Sequence, residues 1–563
     1  MLFNMNDYNL LVGENNAGKT GVLTALRYFY EDQGVKFNRE TDFPKFVTDD
    51  NESWIEIHYQ TTEAEQESLK EEYRSDDKIL RVRRYFMSTK KDLVKAKESN
   101  IYGYEKGVLS ESLFYGAKNV SQAKLGSMLY IPEVNKTEDT LKLSGPSPFR
   151  DMVNFVMKRA VSESESFNGL RTSFDTFNQC FKGECSSDGF SVNALVDAIN
   201  KEVEGWQIRF GVDVNPLKPE ELVKNLLTHY IEDKNLNGKR VSISTYGQGL
   251  QRHLIYTLIL LSSKFVAPKA TKKKDFAPDF TLILFEEPEA FLHPSQQDRM
   301  NASLRELATE ETQQVFVTTH SPNFVSKNVQ DLTSIIRIHK PAAVSESYQL
   351  SKDDLNLLLD ENIGLYRVFC DMLQDPDISD ALKIKIRRKG LGEDNPQEDK
   401  KLEEEAIRCM MWLNTERAAL FFAKQVIICE GPSEKVLLEY LIENNWPELR
   451  DKHIYFADAL GKFSIHRFMT LLSKLGIKHS VLMDRDKDIE IHQIVNDFIE
   501  GKRTVHTNKI KLFNKDLEDF LGISKAPRRD LKPLHILSKF RAGEIEADKI
   551  SDLRGIVNEM LSD

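Results

Sequence analysis

The chain has 563 residues, 40% hydrophobic and 29% charged, with a formal net charge of −11. That length accommodates roughly two to four domains. No apolar run reaches the length of a bilayer span, and no basic segment runs into an apolar stretch and a small-residue cleavage site, so the sequence reads as neither membrane-embedded nor secreted. Of five cysteines (Cys180, Cys185, Cys370, Cys409 and Cys429) only the first two are close, and no second pair completes a zinc site. Reduced thiols fit a cytoplasmic protein best. The acidic balance does not advertise nucleic-acid binding, but a metal site adds carboxylates and DNA contact needs only a local basic stripe. Arg81-Val82-Arg83-Arg84, Lys272-Lys273-Lys274 and Lys383 to Lys389 are such stripes, each by itself an ordinary solvated segment.

In chain order, Tyr8 to Val12 reads as a short buried strand and Gly21 to Arg27 as the opening of a helix. Between them, Gly13-Glu14-Asn15-Asn16-Ala17-Gly18-Lys19-Thr20 has the G-x-x-x-x-G-K-T spacing of a phosphate-binding loop. Glycines let backbone N–H groups turn inward around phosphate oxygens, the lysine reaches the terminal phosphates and the threonine hydroxyl holds Mg²⁺. Gly13, Asn16, Gly18, Lys19 and Thr20 are therefore the expected ATP contacts. Few residues precede this strand, whereas domains of this type carry an earlier one; an internal start or a missing strand is left open.

Trp54 to Tyr59 and Ile79 to Phe86 alternate as strands, with a charged helix or loop from Glu63 to Arg74 between them. Met128 to Pro132 is a further short strand. From Ser147 to about Tyr230 the pattern turns to amphipathic helices, such as Phe149 to Val161 and Ser191 to Val203, interrupted by the turn-rich stretch Phe181 to Gly189. Thr281 to Phe285, Val315 to Thr319 and Ser334 to Ile338 are apolar runs suited to a parallel sheet. Lys352 to Phe422 is mainly helical, with a loop or linker expected from Arg387 to Glu405. Strand–helix alternation resumes at Gln425 to Cys429.

Two constellations carry chemistry. In the first, Leu282 to Phe285 leads into Glu286-Glu287-Pro288-Glu289. An apolar strand ending in two acids sets one carboxylate, Glu286, beside Mg²⁺ and the other, Glu287, beside the attacking water. His320, after the next strand, can sense the γ-phosphate, although alone it would be an ordinary strand-end histidine. Glu286 to Pro294 resembles the ABC-type ATPase heads of DNA-repair and chromosome-maintenance proteins. Ser242 to Gly249, leading into a helix over Leu250 to Leu261, stands where such heads carry a signature segment that contacts nucleotide on a second head. Its order departs from the usual one, and Glu286 replaces the usual aspartate.

In the second, Val426 to Cys429 ends in Glu430-Gly431, with a helix after it, and Ser480 to Met483 ends in Asp484-Arg485-Asp486. Adjacent parallel strands bring these acids to one carboxyl edge, where ligands gather in open α/β sheets. Clustered carboxylates repel unless cations lie between them, and oxygen-only ligands suit Mg²⁺ or Mn²⁺. Each half alone is common by chance. Together, with Lys511 to Leu521 and Asp530 to Pro533, they resemble the Toprim domain of topoisomerases, primases and certain nucleases.

An ABC-type head followed by a Toprim domain resembles the OLD (overcoming lysogenisation defect) family of nucleases, which includes Gabija nuclease subunits and some retron effectors. The resemblance implies an α/β protein: an ABC-type P-loop ATPase domain in two parts (1–146 and 236–345), a helical insertion or dimerisation arm (147–235), a helical linker (346–422) and a Rossmann-like Toprim domain (423–563). It implies metal ligation by Glu430, Glu434, Asp484, Asp486 and Glu518, with Thr20 on the nucleotide's Mg²⁺, and charge stabilisation by Lys532, for which Lys539 competes. It further implies a DNA endonuclease controlled by ATP, acting in bacterial anti-phage defence as a homo-oligomer, with a helicase or a reverse transcriptase and its DNA as partner. The rival reading is an ATP-gated sensor or scaffold subunit whose nuclease is restrained until a partner or phage signal arrives. A primase-like polymerase would need a template-binding zinc module, which the sequence does not display.

Overall fold

The computed structural model describes residues 1–132, 164–206, 208–212, 230–247 and 280–563, except 291, 310–311, 327, 393–395, 413–414, 488 and 563, together with scattered positions in 249–278. The chain divides into two compact units, one made of Met1–Glu133 and Lys273–Asp563, the other of Val134–Lys272.

The first unit opens with β1 (Tyr8–Val12), buried along its whole length, and α1 (Lys19–Tyr30). β2 (Ser53–Gln60), β3 (Ile79–Met87), β4 (Ile101–Glu105) and β5 (Val108–Leu113) then pair in sequence as an antiparallel sheet. β6 (Ser127–Ile131) returns to the sheet of β1. In the second unit, α2 (Glu165–Phe181) and α3 (Val192–Val203) are helices capped by Ser164 and Ser191, and β7 (Ile231–Asp233) and β8 (Lys239–Val241) form a small hairpin. The expected helix over Phe149 to Val161 lies outside the described residues, as does part of Leu250 to Leu261.

Back in the first unit come β9 (Thr281–Glu286), α4 (Pro294–Leu307), β10 (Gln313–Thr318), β11 (Ile335–His339) and β12 (Glu346–Gln349). They complete a six-stranded sheet in the order β12-β11-β1-β10-β9-β6, in which only β12 runs antiparallel. The ends of β1, β9 and β10 thus share one carboxyl edge. That edge carries the glycine-rich loop, Glu286 and His320.

Helices α5 (Lys352–Gln374), α6 (Asp380–Arg388) and α7 (Pro396–Trp412) follow. α7 overturns part of the loop expected from Arg387 to Glu405. Glu403, Ile407 and Met410 recur on one buried face, the spacing of a helix, and Pro396 occupies its first position, where a missing N–H costs nothing. One of the charges that made the stretch look like a linker, Glu403, is paired inside the protein, where the Arg467 guanidinium donates to it at 2.6 and 2.8 Å.

The C-terminal sheet consists of β13 (Gln425–Cys429), β14 (Ile454–Asp458), β15 (Lys478–Asp484) and β16 (Thr507–Phe513) in the order β14-β13-β15-β16, all parallel. The helices α8 (Pro432–Asn444), α9 (Ile465–Lys474), α10 (Glu490–Gly501), α11 (Leu517–Leu521), α12 (Lys532–Arg541) and α13 (Ala547–Leu561) alternate with or follow these strands. A parallel sheet must bury both faces, and β13 and β15 do, from Val426 to Cys429 and from His479 to Asp484.

The two sheets are joined through Arg337 on β11, which has no exposed surface. Its guanidinium donates to the carbonyls of Gly476 at 3.0 Å, Ala423 at 3.3 Å and Leu475 at 3.4 Å, capping the loops that enter β13 and β15. His466 on α9 adds a second tie, contacting the carbonyl of Asn362 on α5 at 3.2 Å. Burial lowers its imidazole to about 3, so it is a neutral packing group.

Candidate nucleotide and metal centres

The loop after β1 adopts the backbone its glycines permit. Gly13 and Gly18 have φ of 136° and 109°, and Asn16 is left-handed at 62°. A side chain at Gly13 would lie 2.1 Å from the carbonyl oxygen of Ile338, so the loop is pressed against β11. Gly18 caps α1 without a side chain, leaving N–H groups free to face an anion. Lys19 folds back over the loop and donates to the carbonyls of Gly13 and Glu14 at 2.9 and 2.8 Å. Burial lowers its ammonium to about 8, opposed by Glu287, Glu289 and Glu14. Thr20 is exposed.

Glu286 accepts a hydrogen bond from Tyr130 on β6. Glu287 takes a left-handed backbone, φ 45°, and pairs with Nε2 of His320 at 3.1 Å. Burial raises the Glu287 carboxyl, Lys19 pulls it down and Glu286 pushes it up again. The lysine, both acids and the histidine thus stand at one edge. The sequence reading gave no role to Glu289. Its buried carboxylate accepts from Thr319 Oγ1 at 2.7 Å and from the His320 N–H at 2.6 Å, fixing the turn that carries the histidine. It also missed His339, which contacts Glu14 at 3.0 Å and holds that carboxyl below its ordinary range. The segment Ser242 to Gly249 lies in the second unit, and Gln248 is outside the described residues.

At the carboxyl edge of the second sheet, Glu430 accepts the N–H of Asp484 through Oε2 at 3.0 Å. The two strand ends therefore meet. Glu434, in the first turn of α8, accepts the Gly431 N–H at 3.1 Å. Burial, and then the charges of Glu434 and Glu430, push the Asp484 carboxyl up to about 8. Burial likewise raises Glu434 to about 7, with Lys532 opposing and Glu430 reinforcing. Asp484 Oδ1 is buried and makes no hydrogen bond with a described residue. Glu518, on α11, pairs with Lys532 at 2.9 Å. Lys532 also feels Glu434 and Asp484, and although burial alone would lower its ammonium, the carboxylates hold it above the ordinary lysine value.

One residue at this edge escaped the sequence reading. Lys462, only 2% exposed, donates to the Asp484 carbonyl at 2.6 Å and to Asp486 Oδ2 at 2.7 Å, and lies 3.9 Å from Glu430. Burial pushes the Asp486 carboxyl up, but the hydrogen bonds from Lys462 and His492 outweigh it and hold it below its usual range. Gly461, at φ 112°, makes the turn that returns Lys462 to the edge. The five acids thus form two overlapping groups, Glu430, Asp484 and Asp486 around Lys462, and Glu434, Asp484 and Glu518 around Lys532. Among the described residues no three acidic, histidine or cysteine side chains stand close enough to form a ready ligand cage. The chemistry of the donors still fits a hard divalent cation: all are oxygens, burial and then repulsion from Glu434 and Glu430 raise Asp484, and one of its oxygens has no partner among the described residues. Lys539 pairs with Glu544 instead.

The family model of the AAA ATPase domain matches residues 3–325. The chain belongs to that AAA ATPase family. Residues 421–486 match the TOPRIM domain of Overcoming lysogenization defect protein-like proteins, which covers β13, Lys462 and Asp484 to Asp486. The AAA–TOPRIM chain is 21% identical over 572 residues to Endonuclease GajA of Bacillus cereus (strain VD045), across 98% of this chain and 79% of that one. It is 22% identical over 493 residues to Old nuclease of Escherichia phage P2, across 85% of this chain and 73% of the relative. Among solved structures it is similar to Stu0660 of Streptococcus thermophilus, with a TM-score of 0.37 and 10% identity, over 78% of this chain and 96% of that one. The α/β class and the order ATPase then TOPRIM are those expected from sequence.

Proposed function

We propose that this protein is an ATP-regulated, divalent-metal-dependent DNA endonuclease. The observation that carries this reading is Asp484: a carboxyl crowded by Glu434 and Glu430 at the end of a buried strand, raised to about 8 and lacking a partner for one oxygen. Such crowding is costly to keep unless a cation or a transferred proton uses it. The two named nuclease relatives support the same reading.

Glu430, Glu434, Asp484, Asp486 and Glu518 would hold Mg²⁺ or Mn²⁺. Ions held there would lower the pKa of a water and neutralise charge at the leaving oxygen. The Glu430 side chain, anchored on the Asp484 N–H, keeps the two strand ends in register. Lys462 orients Asp486 while holding the carbonyl of Asp484. Lys532 would turn from Glu518 toward the phosphate as charge develops there. At the other edge, Gly13, Asn16, Gly18, Lys19 and Thr20 would hold ATP, Glu286 its Mg²⁺, and Glu287 and His320 the water and γ-phosphate. Arg337 ties β11, which backs that loop, to the carbonyls of Ala423 and Gly476 ahead of β13 and β15. A role in anti-phage defence, a homo-oligomer and a helicase or reverse-transcriptase partner rest on the OLD-family resemblance.

Plasmid nicking with Mg²⁺ or Mn²⁺ tests the site. Asp484→Ala is expected to lose at least ~10²-fold in rate, the scale of a group acting on the reacting atoms. Undiminished cutting would refute the assignment. One observation favours the restrained-subunit reading as a second: Lys462 and Lys532 already neutralise the acids. Brisk cutting by the purified chain, with no partner, would rule it out.

A further inference from the structure

The run Lys383 to Lys389 looks in sequence like a solvated segment, but the fold carries it to the acidic edge of the C-terminal sheet. Leu382 and Ile386, four apart, are the buried face of α6. Lys385, Arg387, Arg388 and Lys389 are therefore left outside, and all four are exposed. Lys385 reaches Glu490 of α10 at 3.8 Å. Lys389 Nζ lies 3.3 Å from Nε2 of His492, and Nδ1 of the same ring lies 2.8 Å from Asp486 Oδ2. With the ammonium donating to Nε2, the ring proton sits on Nδ1 and is donated to Asp486. Lys389 also lies 5.4 Å over the ring of Phe463, the neighbour of Lys462. Arg387 and Arg388 make no ion pair with a described residue.

A chain of net charge −11 with five acids at one sheet edge repels a polyanion. A phosphodiester reaches such an edge only if cations beside it attract the flanking phosphates. We propose that the basic end of α6, with Lys385, Arg387, Arg388 and Lys389, is the track that seats a DNA backbone beside the carboxylate site, with Lys389 and His492 at the junction. The proposal rests on the nuclease reading and names the surface that reading lacks. The complementarity of charge selects the occupant: uncompensated guanidinium groups fit phosphate oxygens.

The test is binding of a fluorescent DNA duplex to the full-length protein in EDTA, across a salt series, read by anisotropy. Arg387→Glu/Arg388→Glu is compared with wild type and with Lys95→Glu/Lys97→Glu, which makes the same charge change on the connection between β3 and β4. Retained melting temperatures establish that the exposed substitutions leave the fold intact. The α6 variant is expected to bind roughly ten-fold or more weakly, with a salt slope about 2 shallower, as two lost phosphate contacts require. Binding and slope equal to those of the control variant would overturn the track, and preference for duplex RNA over DNA would overturn its occupant. Nicking is scored separately. If wild type binds through these residues but fails to cut with either Mg²⁺ or Mn²⁺, the nuclease fails and the track stands. If wild type cuts and the α6 variant binds and cuts equally well, the track fails and the nuclease stands.

Discussion

Asp484 shows how a single side chain couples fold to chemistry. It is held at the end of β15 by the burial of the strand, and its neighbours Glu434 and Glu430 make its charged form costly. Both Asp484 and Glu434 have folded values above those of the unfolded chain. The metal-free fold is therefore unpenalised while they are protonated in both states. It loses stability as pH rises from the ordinary carboxylate range through about 7 for Glu434 and about 8 for Asp484. The melting temperature in EDTA should fall across that window, and Asp484→Asn should flatten the fall. A wild-type melting temperature independent of pH would contradict the crowding. Glu430, Asp484 and Asp486 were legible because two apolar strands end in acids at matching registers. Lys462 was not, since a lone lysine carries no pattern; only the packing of the turn around Gly461 brings it back over the edge.

Among elements, β11 has the widest reach. Its Gly13-facing carbonyl backs the nucleotide loop and its Arg337 caps the entrances to two strands of the other sheet. Arg337→Met would leave three carbonyl contacts unmade, at roughly 1–3 kcal/mol for each buried group left unsatisfied. Urea unfolding should show a loss of that order, and a change within error would mean the loops relax freely. The elements that were easiest to read are the doubly buried ones. β13 was legible to its last residue because its short apolar run is rich in β-branched side chains and ends at Glu430-Gly431. β4 and β5 were not seen: Ile101–Glu105 is interrupted by a glycine although its first three residues are buried, and Val108–Leu113 mixes serine and glutamate, as a partly exposed strand of an antiparallel sheet does. α7 was obscured in the same way, since its buried Glu403 reads as surface until Arg467 is in view.

At the scale of the molecule, a nucleotide edge and a carboxylate edge share one compact unit. That arrangement predicts an effect of ATP on cutting that passes through the glycine-rich loop. Adding ATP should change the nicking rate of wild type, and Lys19→Ala should cut at one rate with or without it. An ATP response that survives Lys19→Ala would place the control elsewhere. Lys19 gives two of its three N–H donors to loop carbonyls, so a phosphate that takes more than the third has to draw the ammonium off the loop. Net charge gave little guidance at this scale, because the acids gather at one edge while α6 carries the opposite sign beside it.

The strands that flank the second unit lie side by side: β6 and β9 pair in parallel from Ser127 opposite Thr281 to Ile131 opposite Phe285. The chain leaves the sheet at the far end of one and must re-enter at the near end of the other. That gap is the length of a single five-residue strand, about 17 Å, and joining parallel neighbours over it takes a flexible tether of about a dozen residues. Removing the whole excursion and splicing in such a tether should leave the two flanking strands in register, giving a trimmed protein in which loop, lysines and acids can be assayed apart from whatever the excursion contributes.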